Sequence, residues 1–216
     1  THCKTRTTAM IAQMLEDANL EPTVELGAII PRWKTHWRAG KGKYFVIEAD
    51  EFNDNFLHLK PDITVVTNIE MDHPEYFKDF AAVKKSFDKF IKQSKRVIDK
   101  PNSKLINFPL LAPGVFNILN ASLAYQVGLA LGIDPQVIKK SLMNYPGIGR
   151  RFEYIGKYHG AQIYSDFGHH PTEIKVTMQA ARQKFPNQRI ILIYEPHMFS
   201  RTKALFDDFV KVFREI

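Results

Sequence analysis

The sequence predicts an α/β protein built on a mostly parallel sheet, and three observations carry that expectation. Short β-branched runs alternate with amphipathic stretches along the 216 residues, the pattern of strands joined by helices. The apolar run "KYFVIEAD" (43–50) is continuous rather than alternating, as in a parallel strand covered on both faces. Three predicted strands end in polar or ionisable residues, first Glu48 and Asp50, then Asn68, Asp72 and His73, then Glu195 and His197. Ligands of open α/β sheets bind outside the carboxyl ends of the strands.

The elements follow in order. "TRTTAMIAQMLEDAN" (5–19) places Met10, Ile11, Met14 and Leu15 on one helical face. Strands are predicted at 43–50 and within "DITVVTNIEMDH" (62–73), and a helix over 79–93. "PGVFNILNASLAYQVGLALG" (113–132) opens with Pro and Gly and reads as a helix stopped by Gly132. The next helix, 134–145, has Asp134 as its cap and Pro135 at its first position. A break between domains is expected at "NYPGIGRRFEY" (144–154), where a helix ends in Pro and Gly. Beyond it come a strand running into the His-rich loop of 160–171, a helix over 172–185 capped by Thr172, a strand at 188–197, and a last helix from 201 onward.

Composition narrows the function classes. With 44% hydrophobic and 25% charged residues, the chain reads as an ordinary globular protein. Its longest apolar runs fall far short of the roughly 20 residues of a membrane helix, and "THCKTRTT" lacks the apolar core of a signal peptide. A single cysteine excludes an intrachain disulfide framework and fits a reducing, cytoplasmic setting. The net charge of +7 suits either a lysine-rich surface or an anionic small substrate. No arginine-rich or aromatic-interleaved basic stripe points to nucleic acid.

Four clusters carry chemistry. "HCKTRTT" has the Lys-Thr of a phosphate-binding loop at a helix start. There Lys4 reaches phosphate oxygens and the Thr5 hydroxyl sits on Mg²⁺. "EADE" brings Glu48 and Asp50 to one side at strand period, as a solvated strand end or as a hard-cation site. "TNIEMDH" sets Asn68, Asp72 and His73 within six residues after a buried strand. "SDFGHHP" and "EPHMFSRT" bring His169, His170, His197 and Arg201 to the ends of two successive strands. Arg201 suits a bidentate grip on a carboxylate or phosphate, and a three-histidine metal site is the competing chemistry.

Taken together, "THCKTRTT", "EADEFNDNFLHLKPD", "TNIEMDH", "FNILNA", "RRFE", "SDFGHHPTE" and "PHMFSRT" occur in that order. This succession resembles the Mur ligase family of ATP-dependent amide-forming enzymes, in its alanine-adding branch. The resemblance implies a shortened P-loop-type central ATPase-like domain over 1–147 and a truncated, partial Rossmann-like C-terminal domain over 148–216. It implies a further N-terminal UDP-binding domain in the full-length protein. It implies a cytoplasmic ligase of peptidoglycan synthesis using ATP and Mg²⁺. In that reaction ATP phosphorylates the carboxylate of UDP-N-acetylmuramate, and the amine of L-alanine attacks the acyl phosphate. By the same resemblance Lys4, Glu48 and His73 are catalytic, with Thr5, Glu48 and His73 at the metal. His2, Lys4, Thr5, Asn68, Asn117, Asn120, Arg151 and Asp166 bind ATP, and His169, His197 and Arg201 position the amino acid.

The chain also departs from the pattern. Cys3 stands where the family has the loop glycine, Phe116 where a His is expected, and Phe167 where a Tyr is expected. The segment "SKRVIDKPNSKLINFPLLA" is short beside the family's central domain. These departures leave a second expectation open, a non-catalytic nucleotide- or partner-binding remnant of the same family.

Overall fold

The computed structural model describes all residues from Thr1 to Ile216. In chain order its elements are α1 (Lys4–Asp17), β1 (Thr23–Ile30), β2 (Thr35–Arg38), β3 (Phe45–Ile47), β4 (Ile63–Val65), α2 (Phe80–Lys92), β5 (Arg96–Ile98), α3 (Val115–Ala130), α4 (Pro135–Met143), β6 (Arg151–Tyr158), β7 (Ala161–Asp166), α5 (Pro171–Lys184), α6 (Phe199–Ala204) and α7 (Phe206–Glu215).

The α/β class holds. In the first part of the chain β1 pairs with β3 in parallel and β4 with β5 in parallel, while β1 and β2 are antiparallel. The strands form separate small sheets, ordered β2-β1-β3 and β4-β5. Between β3 and β4 lies a cavity of about 710 Å³. Phe45, Val46 and Ile47 line one wall, Ile63, Thr64 and Val65 the other, with Lys43 and Lys60 at its margin.

Helix α1 is the centre of the main core. Its sequence "TTAMIAQML" has apolar or small residues at nearly every position, so the helix is covered around most of its girth. Met10, Met14 and Leu15 pack with Leu123 of α3 and with Ile138 and Leu142 of α4. Gly128 lets α3 approach this closely. A Cβ there would lie 2.6 Å from Ile138 Cδ1 and 2.8 Å from Met14 Sδ. Asp134 caps α4 as expected, accepting the Gln136 N–H at 2.6 Å, with Pro135 first in the helix. A second cluster packs Val83, Phe87 and Phe90 of α2 on Phe56, whose ring stacks 4.5 Å from that of Phe90.

Four strands escaped the sequence reading, namely β1, β2, β5 and β6. The predicted strand at 188–197 does not form. Its backbone finds no neighbouring strand to complete a ladder, and Ile193 stays 92% exposed. Thr172 is not the cap of α5. His170 is, accepting the Thr172 N–H on Nδ1 at 3.3 Å ahead of Pro171. The single helix expected at the end is two, α6 and α7, broken at Leu205. No helix is long and apolar enough to cross a membrane.

Candidate active site

The site begins at the turn into α1. Cys3 precedes the helix with φ of 65°, the left-handed region that favours glycine. A side chain there costs on the order of 1 kcal/mol or more. The Cys3 thiol is pushed up by burial and is therefore a poor thiolate. One residue on, the Lys4 ammonium makes an ion pair with the buried Glu51. Next, the Thr5 hydroxyl donates to Glu48 Oε1 at 2.8 Å, and Glu48 Oε2 accepts the Gly27 N–H at 2.7 Å. Two hard oxygen donors thus meet at the first helical turn, which fits a Mg²⁺ ion completed by phosphate and water.

His73 lies in a neighbouring group rather than with Thr5 and Glu48. Glu51, Asp72 and His73 bring one ligand atom each within 4.8 Å of the others. His73 has φ of 54° and its Nδ1 lies 3.1 Å from Glu75 Oε1. Asp72 leads on to Arg201, whose Nε–H donates to Asp72 Oδ1 at 3.0 Å. Burial works against the Asp72 carboxylate, but the Arg201 guanidinium and the His73 N–H hold it below its usual range.

The His-rich loop divides. His169 and His197 face each other, ring centroids 5.9 Å apart. His170 turns away onto His2, 4.4 Å between centroids. The three-histidine site therefore does not assemble. His169 Nδ1–H donates to the Phe167 carbonyl at 3.0 Å, which leaves Nε2 with its lone pair. Burial lowers the His169 imidazole, so it is neutral near pH 7.

His2 sits between two carboxylates. Nδ1 is 3.4 Å from Glu173 and Nε2 is 3.6 Å from Glu70. Burial alone would lower His2, yet Glu173 and Glu70 outweigh it and raise it to about 9. Glu173 is correspondingly held well below the usual carboxylate range, against its own burial, chiefly by His2. A protonated imidazole has no lone pair for a cation. His2, Glu70 and His170 are close enough to enclose a metal, but His2 is in the wrong state for one.

A second cavity, about 270 Å³, lies beside α1 and is lined by Arg6, Asn117, Tyr145 and Arg151. Asn117 donates Nδ2–H to the Pro113 carbonyl at 2.6 Å. Asn117 Oδ1, Asn120 Nδ2 and the Tyr145 hydroxyl are buried without partners, the mark of groups that await a ligand or water. Arg6 lies over the Phe116 ring at 4.6 Å and binds Asp166 at 3.2 Å. Arg151 lies 3.6 Å from Glu173. Asn68 holds the loop, its Oδ1 accepting the His2 N–H at 2.8 Å.

Glu51, Glu70, Asp72, His170 and Glu173 were not singled out for these contacts from the sequence. Each stands inside a motif that was, and the missing signal is the partner each meets across the fold.

Residues 1–98 match the model of the Mur ligase middle domain, and residues 150–216 match the model of the Mur ligase glutamate ligase domain. The chain belongs to the Mur ligase family. It is 34% identical over 260 aligned residues to the UDP-N-acetylmuramate–L-alanine ligase of Lawsonia intracellularis, covering 98% of the chain and 57% of that relative. To the enzyme of the same name from Aquifex aeolicus it is 33% identical, covering all of the chain and 58% of that relative. The chain thus spans little more than half the length of these relatives. The alignment with the first is longer than the chain itself, so that relative carries extra residues within the matched span. Among solved structures, the UDP-N-acetylmuramate–alanine ligase of Thermotoga maritima superposes with a TM-score of 0.81 at 24% identity, covering 99% of this chain and 62% of that one. The FolC protein of E. coli, solved with DHPP and ADP, superposes with 0.74 at 12% identity, covering all of this chain and 70% of that one. Both likenesses concern the fold.

Proposed function

We propose that this Mur ligase chain supplies the nucleotide and amino-acid sites of a ligase that adds L-alanine to UDP-N-acetylmuramate. ATP would first form an acyl phosphate on the muramate carboxylate, and the alanine amine would then displace phosphate. The domain boundary at 147/148, the UDP-binding domain ahead of the chain and a cytoplasmic location belong to this reading. The names of the curated relatives support it. The single observation that carries it is the Thr5–Glu48 contact at the start of α1, beside Lys4.

Mg²⁺, when bound, would draw charge from the phosphates; Thr5 and Glu48 are the residues to hold it, with His73 near. Lys4 would exchange Glu51 for a phosphate oxygen. Bringing an anionic nucleotide to a carboxylate substrate requires cations and helix N–H groups to offset the repulsion. Asn117 and Asn120, with their unpartnered atoms, suit the adenine, while Arg151 and Asp166 close on the nucleotide from the later segment. Asn68 fixes the loop backbone that carries His2. Arg201 would grip the alanine carboxylate after leaving Asp72. His197 would frame that subsite, and neutral His169 offers Nε2 to the amine proton. Contact between the two segments would exclude the water that hydrolyses an acyl phosphate.

The test is ADP release by the chain joined to the UDP-binding domain of a relative. Release that needs Mg²⁺, UDP-N-acetylmuramate and L-alanine together is the expected result; none, even after Cys3→Gly, rejects the reading. Cys3 in a glycine conformation favours the second reading, a remnant that binds without turnover. Mg·ATP bound with micromolar affinity but never cleaved is its outcome.

A further inference from the structure

The polar contacts between the early and late parts of the chain do not spread evenly. Arg6–Asp166 and Arg201–Asp72 each join them at a single pair, whereas three groups of the late and middle chain gather around one side chain, His2. His2 is 4% exposed and lies two positions before Lys4. Its backbone belongs to the strand-end loop after β4, because its N–H donates to Asn68 and its carbonyl accepts the Thr67 hydroxyl at 2.5 Å. Its ring belongs to the start of α5, through Glu173 on one nitrogen and His170 on one face. Glu70 closes the ring's other side and is itself bound by the Thr172 hydroxyl at 2.9 Å.

Glu173 extends the connection. Its Oε2 accepts the His169 N–H at 3.0 Å while its Oε1 faces His2. A short relay therefore runs from the phosphate-loop turn through His2 and Glu173 to the backbone of His169, the residue assigned above to the amine. We propose that His2 is a positioning residue, a cationic latch that ties the turn into α1 to α5 and so sets His169 against the nucleotide site. The groups around it are Glu70 from the loop after β4, His170 and Glu173 from α5, and Arg151 from β6 beyond Glu173. Two anions face the imidazolium at 3.4 and 3.6 Å as charge partners, Nε2 making no hydrogen bond, and Arg151 shares Glu173 without reaching His2. Burying a cation so completely is tolerable only with such pairing.

The latch deepens the proposed function, because His169 matters only if that segment receives the amine. Its test, however, needs no turnover. In the chain as it stands, the ring nitrogens of His2 are followed by NMR across pH, in the parent, Glu173→Gln and Glu70→Gln. The parent ring is expected to stay protonated through neutral pH and to lose its proton near pH 9. Glu173→Gln should lower that midpoint by about one unit or more, a tenfold loss of proton affinity. The His169 amide resonance should move with the His2 titration. A parent midpoint near that of a free histidine, or a His169 amide indifferent to it, overturns the latch. So does stoichiometric capture of Zn²⁺ by the His2 ring, which would make the group a metal site.

A second arm uses His2→Gln, Glu173→Gln and the double variant in urea unfolding. Coupled costs support the latch, and costs that simply add overturn it. Calorimetry of the parent with Mg·ATP separates the two claims. Absent nucleotide binding rejects the proposed function, whereas the histidine titration still decides the latch.

Discussion

Arg201 and Asp72, 129 positions apart in the chain, form a buried ion pair in which the Arg201 Nε–H donates to Asp72 Oδ1 at 3.0 Å. Arg201 is only 2% exposed. The guanidinium marked out for an incoming carboxylate already holds one from its own chain.

Breaking this pair from one side strands a charge. Asp72→Asn keeps the shape and removes the charge, and should cost about 3–5 kcal/mol. Arg201→Met with Asp72→Asn should restore most of that loss. Urea unfolding at pH 7 of both variants checks the pair. The acid side follows from the depressed Asp72 value. Its contribution is present above the ordinary carboxylate range and is lost as pH falls through its lower folded value. The parent should therefore lose stability on acidification more than the double variant does.

Thr5 and Glu48 touch each other before any ion arrives. Thr5→Ala and Glu48→Gln are expected to weaken Mg·ATP by about tenfold or more, at roughly 1.4 kcal/mol per decade. Both variants lose a hydrogen bond of Glu48, Glu48→Gln weakening the one to the Gly27 N–H and Thr5→Ala removing the one from the Thr5 hydroxyl, so both should lower stability slightly. Calorimetry with and without Mg²⁺, paired with thermal unfolding, distinguishes the two effects.

Cys3→Gly should raise stability by about 0.5–1 kcal/mol, as left-handed strain is relieved in excess of the greater freedom of an unfolded glycine. Nucleotide affinity should rise as well, since the backbone of the turn can then approach a phosphate. A variant no more stable than the parent would show that the turn is relaxed around Cys3.

Gly128 tests the helix core. Alanine is ordinarily the better helix residue by roughly 1 kcal/mol. Here its methyl would meet Ile138 and Met14 inside van der Waals distance. Gly128→Ala should therefore destabilise by about 1–3 kcal/mol, and Gly128→Ala with Ile138→Val should recover part of it. A stabilised single variant contradicts the packing described.

The helices were legible because each carries its own signal. Asp134–Pro135 announces α4, and Met10, Ile11, Met14 and Leu15 announce α1. The missed strands have no such autonomy. β6 and β7 form a ribbon with many exposed side chains, so no apolar face is written into "RFEYIGKY". β1 alternates in burial, but two of its outward positions are Gly27 and Ile29 rather than polar residues, so the alternation is not written in the sequence. At the site the residue types were legible and the partners were not. Lys4 and Thr5 were expected at the phosphate, but that Lys4 rests on Glu51 follows from how two strand ends sit beside α1. His170 shows the limit most clearly. Its neighbour His169 joins His197, while it caps a helix and lies on His2.

The divided sheet has a consequence for how the protein behaves in solution. β3 and β4 each pair on one edge only, and their other edges look onto the same apolar cavity. Open edges of this kind template strands from other molecules. Lys43 and Lys60 line the same cavity and the net charge is +7, so like-charge repulsion opposes such pairing. That protection is electrostatic and shrinks with the Debye length, from about 10 Å at 0.1 M salt to about 3 Å at 1 M. Raising ionic strength should therefore favour association through these edges, and light scattering of the chain between about 0.1 and 1 M salt checks it.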